Sequence, residues 1–135
     1  MREPQNKTVL KTFLPFVIIA FVLSSCGVNH GKEKNFNGVQ LFYTDAVTEA
    51  EADALGAYLI TNEYANGEKK TVQLNKTGKT YQCRMVMKKE FEKNQQNISL
   101  FKAVAASLSV NVFKGAPVEI HICDDQLETI QVVTP

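Results

Sequence analysis

The nine residues Thr80–Lys88, TYQCRMVMK, change character at every step. In an extended chain Tyr81, Cys83, Met85 and Met87 fall on one face, and Gln82, Arg84, Val86 and Lys88 fall on the other. Strict alternation over this length predicts a strand whose one face is covered and whose other face is wetter. The strand needs neighbours, and the flanking text supplies one. Thr71–Asn75, TVQLN, reads as a second strand, and Lys76–Lys79, KTGK, reads as the turn between them, with Gly78 available for positive φ.

The rest of the body follows the same logic. Val39–Thr44, VQLFYT, alternates and predicts a strand. Thr48-Glu49-Ala50-Glu51 is a capping box, in which the Thr hydroxyl and the Glu carboxylate satisfy exposed amides reciprocally. Behind it Ala52, Leu55, Leu59 and Ile60 recur at helical spacing, with Gly56 inside the helix for close approach to a sheet. Ile98, Phe101, Val104, Ala105 and Leu108 mark a second helix ending near Asn111. After the break at Lys114–Pro117, Val118–Asp125 reads as a strand with Val118, Ile120 and Ile122 inward and Glu119, His121 and Cys123 outward. Glu128–Val133 predicts a short fifth strand. The order β-α-β-β-α-β resembles the ferredoxin-like split βαβ arrangement. The expected fold class is therefore α+β, an antiparallel sheet with two helices on one face and a possible extra C-terminal strand. FNGVQLFYTD and FKGAPVEIHICDD also echo each other, through Phe36 and Phe113, Gly38 and Gly115, which raises an internal duplication as a further expectation.

The amino terminus is built differently. Arg2, Lys7 and Lys11 stand against one acid, Glu3, and an apolar run from Phe13 to Leu23 follows. That run is far short of the about 20 residues a helix needs to cross a bilayer. It fits the apolar region of a secretory signal, which is about 7–15 residues behind a positive head. Leu23-Ser24-Ser25-Cys26 then resembles a bacterial lipobox. The resemblance implies that residues 1–25 are a signal peptide, removed just before Cys26. It also implies that the Cys26 sulfur carries a diacylglyceryl group, and that the new amino terminus is acylated in turn. Gly27 stands where an Asp would resemble an inner-membrane retention signal, so the outer membrane is the expected address in a Gram-negative envelope. Residues 26–35 contain two glycines, charges and almost nothing apolar, and predict a flexible tether. Residues 36–135 form the expected α+β domain, long enough to bury a core without disulfide staples.

Chemistry-bearing residues are sparse. The net charge of +1 gives no electrostatic reason to bind nucleic acid. Gly78-Lys79-Thr80 matches the end of a phosphate-binding loop, but it joins two strands instead of opening a helix. His121 and Cys123 share a strand face beside Asp124 and Asp125, yet no third ligand completes a metal site and no partner completes a catalytic pair. Cys83 and Cys123 are placed on opposite strand phases with a further strand between them, so no disulfide is expected. No cofactor is implied. His30, in the tether, is expected to face solvent.

These readings point to binding and not to catalysis. The expected protein is anchored in the cell envelope through lipid on Cys26, with a small binding or assembly domain, an envelope protein as possible partner, and Phe42, Arg84 and His121 as its outer-face binding residues. Two alternatives remain open. One is a thiol- and histidine-dependent envelope enzyme, and the other is a protease-inhibitor-like module. Tyr43-Thr44, Val47-Thr48, Glu49-Ala50 and Leu55-Gly56 resemble the opening of small exported bacterial domains, a resemblance that implies no activity.

Overall fold

The computed structural model describes residues 29–88, 90 and 94–135. The signal segment, the lipobox and Cys26 lie outside the described residues. No helix among the described residues is long and apolar enough to cross a membrane.

Six strands and two helices make up the domain: β1 (Lys32–Phe36), β2 (Val39–Tyr43), α1 (Glu49–Thr61), β3 (Lys70–Thr77), β4 (Thr80–Val86), α2 (Gln95–Asn111), β5 (Val118–Cys123) and β6 (Thr129–Val133). The strands lie in one sheet in chain order. Three hairpins, β1–β2, β3–β4 and β5–β6, are antiparallel, while β2–β3 and β4–β5 are parallel and bridged by α1 and α2. The α+β class holds, but the sheet is mixed and not antiparallel, and its order is not the expected ferredoxin-like one. The reason is local pairing. In the expected order β2 separates β4 from β5; here β4 pairs directly with β5, Cys83 opposite Ile120 and Val86 opposite Cys123.

The alternation read from the sequence sets the covered face. Val39, Leu41, Tyr43, Val72, Leu74, Tyr81, Cys83, Met85, Val118, Ile120 and Ile122 are buried in one core with Ala52, Leu55 and Leu59 of α1 and Phe101, Ala105 and Leu108 of α2. Both helices therefore lie on the same face, and Tyr58 Oη donates to Ser107 Oγ between them at 2.8 Å. This has a topological consequence. The steps β2→β3 and β4→β5 move the same way across the sheet, but β2 and β4 run in opposite directions. With both helices on one face, the two crossovers have opposite hand, so one of them is the rare left-handed kind.

β1 occupies residues read from the sequence as the end of the tether. Asn37 and Gly38 both have positive φ, 47° and 96°, as a two-residue primed hairpin turn requires. Lys114 and Gly115 take up the same pair of conformations, 57° and 89°. The echo between the two Phe-X-Gly segments is thus a shared turn. It does not extend to a duplication, because β2 opens a βαβ unit whereas β5 closes one. Gly78 has φ 61° in the two-residue β3–β4 hairpin, so the KTGK segment is the turn its sequence predicts.

Helix α1 carries the predicted capping box. Glu51 N–H donates to Thr48 Oγ1 at 3.1 Å, and Thr48 N–H donates to Glu51 Oε1 at 3.1 Å. Glu51 also accepts from the Tyr81 hydroxyl, tying the helix start to β4. Partial burial pushes the Glu51 carboxyl upward, but the bonds from Tyr81 and Thr48 together outweigh it and hold the group below its ordinary value. Ile60, expected on the apolar stripe, is 45% exposed, so the buried stripe is only Ala52, Leu55, Gly56 and Leu59. Gly56 lies against the Phe36 ring of β1, and a methyl at this position would overlap that ring. Gly56→Ala should therefore destabilise the domain by about 1–3 kcal/mol, as overpacking does, although alanine is the better helix former. Urea denaturation of the two proteins checks the sign, and a stabilised variant would contradict the contact.

Candidate functional site

Because both helices cover one face, the other face of the sheet is uncovered by any helix among the described residues. The register builds its central feature. Phe42 pairs with Gln73, Gln73 with Arg84, and Arg84 with His121. These four side chains form one row across β2, β3, β4 and β5, spanning about 14 Å at normal strand spacing. The three residues singled out from the sequence, Phe42, Arg84 and His121, are thus brought into a single line. Gln73, which sequence reasoning passed over, sits between them. An adjoining polar row runs parallel to it. Thr44 Oγ1 donates to Asn75 Oδ1 at 2.7 Å, and Asn75 Nδ2 donates to Gln82 Oε1 at 2.8 Å. Gln82 pairs in turn with Glu119. At the β1 edge Gln40 Nε2 donates to Glu33 Oε2 at 2.8 Å.

The His121 end of the row is pinned by a relay, and there His121, expected to face outward, is only 8% exposed because Thr129 and Glu119 close over its ring. An Arg84 guanidinium nitrogen donates to Thr129 Oγ1 at 3.0 Å, and the other terminal nitrogen donates to the Leu127 carbonyl. The Thr129 hydroxyl lies 3.1 Å from His121 Nδ1, and His121 Nε2 lies 3.0 Å from Glu119 Oε1. A hydroxyl that accepts from arginine has its own proton free to donate. The set closes with Thr129 donating to Nδ1 and Nε2–H donating to Glu119. A register shift at Ile122/Cys123 in the β5–β6 pairing brings Thr129 to this face. The turn before it is held by Asp124, whose Oδ1 accepts from Gln126 and Glu128, and Leu127 there has φ 63°. Arg84 Nε is buried with no hydrogen-bond partner among the described residues.

The thiols are placed for inertness. Cys83 and Cys123 are both free and buried. They lie on adjacent strands, not two strands apart as expected, yet on opposite faces, and that phase keeps them apart. Burial pushes the Cys83 thiol up to about 12. Burial also raises Cys123, against a smaller opposing pull from Arg84. Cys123 Sγ donates to the His121 backbone carbonyl at 3.5 Å, while the His121 ring bonds Glu119 and Thr129. The imidazole is therefore not arranged as a base for the thiol. No group of three metal-ligating side chains occurs among the described residues.

The Phe42 end of the row is partly covered by the chain entering β1. The His30 ring meets Phe42 edge-on, with centroids 5.5 Å apart, and Gln73 Nε2 donates to the His30 carbonyl at 2.8 Å. His30 is thus half-covered and packed, not free in solvent. A separate concavity of about 930 Å³ lies beyond this row, with Lys69, Lys88, Asp124, Asp125 and Ile130 among its lining residues. Its mixed charges give it no single ligand preference.

A two-layer α+β domain with one helix-covered sheet face and one open polar face is the class defined by these features. The chain belongs to the AF_1994_N family, whose model, that of a family N-terminal domain, matches residues 34–134. The matched span contains the whole row and its relay. No curated protein and no solved structure matches the chain.

If Thr129 is the relay's hinge, Thr129→Val should destabilise the domain by about 1 kcal/mol through the loss of its hydrogen bonds. Thr129→Ser, which keeps the hydroxyl, should cost much less. Denaturation midpoints of the two variants check this, and equal losses would show that the hydroxyl is not used.

Proposed function

We propose that the protein is a lipid-anchored component of a bacterial cell envelope whose α+β domain works as a binding or assembly module through its open sheet face. The single observation that carries the binding reading is the row Phe42–Gln73–Arg84–His121 on a face that no helix covers. An aromatic ring, an amide and a guanidinium in one line offer stacking and hydrogen bonds, while the buried His121 imidazole is engaged within the relay and holds Arg84 in place through Thr129. Buried thiols with raised pKa values, and a histidine engaged by Glu119 and Thr129, weigh against the thiol-enzyme alternative. The anchoring reading rests on the basic head, the apolar run and Leu23-Ser24-Ser25-Cys26. Removal of residues 1–25 leaves Cys26 as the first residue, and in a Gram-negative cell Gly27 after it favours the outer membrane.

The intact mass of protein extracted from membranes tests the anchoring. The expected mass starts at Cys26 and includes acyl groups; a chain that still begins at Met1 would sink the reading.

A further inference from the structure

The way the chain enters β1 fixes more than a tether. Gly31 has φ +108°, and a Cβ there would overlap the Tyr43 carbonyl, so only glycine fits this bend. Gly31 N–H donates to Asn29 Oδ1 at 2.9 Å, which closes a local turn. The bend turns the chain off the β1 edge and onto the open face. There the His30 ring sits on Phe42 of β2, and the His30 carbonyl accepts from Gln73 of β3. Read from Lys32 back toward the amino terminus, the path runs across the strands toward the centre of the open face. It leads away from the helix layer.

Chain length then limits how far the anchor lies from this face. Cys26 precedes His30 by four residues, a reach of at most about 14 Å even when fully extended. The helix layer lies on the other side of the sheet, about 10 Å further off. Acyl chains on Cys26 must enter the bilayer, so the point where the chain leaves the domain must stay close to the headgroups. We infer that the membrane surface itself is what the open face meets: the bend at Gly31 and the His30–Phe42–Gln73 contact hold the domain with its open sheet face toward the bilayer and its helices toward the aqueous side. This inference rests on the proposed lipid anchor at Cys26.

The chemistry of the face suits a headgroup layer. Gln40, Gln73 and Asn75 each use one amide N–H on the face itself and keep a second for phosphate or glycerol oxygens, and Gln82 keeps both of its own. Arg84 adds a fixed cation against the Glu33 and Glu119 carboxylates bonded to Gln40 and His121, and Phe42 and the half-exposed Val132 supply apolar contact at the interface. The helix layer offers α2 positions such as Ala103 and Ala106 to solvent.

The test uses full-length protein purified from membranes, with a fluorophore on Gln82→Cys of the open face or on Ala106→Cys of the outer helix surface. Cys26 is blocked by its lipid, and Cys83 and Cys123 are buried, so each variant presents one reactive thiol. Intact mass is recorded first: a chain without acyl groups overturns the anchoring reading and this orientation with it. The acylated variants are then placed in phosphatidylethanolamine–phosphatidylglycerol vesicles containing a lipid with a nitroxide on its headgroup. The Gln82→Cys label should lose more than half of its emission while the Ala106→Cys label keeps nearly all of its own. Adding Gly31→Val, which removes the bend, should shrink that contrast. Equal quenching on both faces of an acylated protein, or stronger quenching on the helix surface, overturns the orientation and leaves the anchor intact.

Discussion

The structure depends on an imbalance of apolar surface. Strands β2 to β5 alternate, and only one phase of that alternation is predominantly apolar. The two helices carry narrow buried stripes, three to four residues each, enough to cover one sheet face. Covering both faces would need a third layer that the chain does not contain among its described residues. The uncovered face must therefore satisfy its own polar groups, and it does so through cross-strand pairs such as Asn75–Gln82 and the relay from Arg84 to Glu119. A face organised by such pairs is stable in water and still offers donors and acceptors to a partner.

The mixed topology follows from hairpins that form between chain neighbours. Two two-residue turns and the five-residue loop between β5 and β6 fix three antiparallel pairs, and each helix then only has to bridge adjacent parallel strands. The domain thereby keeps its contacts local, but one crossover of unusual hand results. The contacts that hold this arrangement are specific: Tyr58 to Ser107 between the helices, Glu51 to Tyr81 between α1 and β4, and Phe36 against Gly56 between β1 and α1. The last explains a glycine that helix propensity alone would not select.

Much of this was legible in particular residues. Strict alternation in Thr80–Val86 placed Arg84 on the open face, and the Thr48–Glu51 box placed the start of α1. The KTGK turn was equally plain, and the C-terminal strand was readable only as an optional addition. Strand β1 was not, because KEKNF lacks an apolar alternation and lies in a charged stretch. The signal that could have found it was Asn37-Gly38, a strong hairpin dipeptide just before β2. Strand order was illegible for a different reason. Alternation fixes which face a residue occupies, but it carries no information on which strand pairs with which, so β4–β5 pairing could not be read. Of the site, the phase of Phe42, Arg84 and His121 was readable. Their alignment in one row was not, since it depends on register. Thr129 reaches the relay only through a bulge, and Gln73 joins the row only through the β2–β3–β4 register.

The central claim is that the open sheet face is the working surface of an envelope protein. Photo-crosslinking in intact cells tests it most directly, with a photoreactive side chain at Gln82 or, as control, at Ala106 on the outer surface of α2. The account predicts adducts with envelope lipid or envelope protein from position 82 and few from position 106. Adducts that form equally at both positions, or only at position 106, would contradict it.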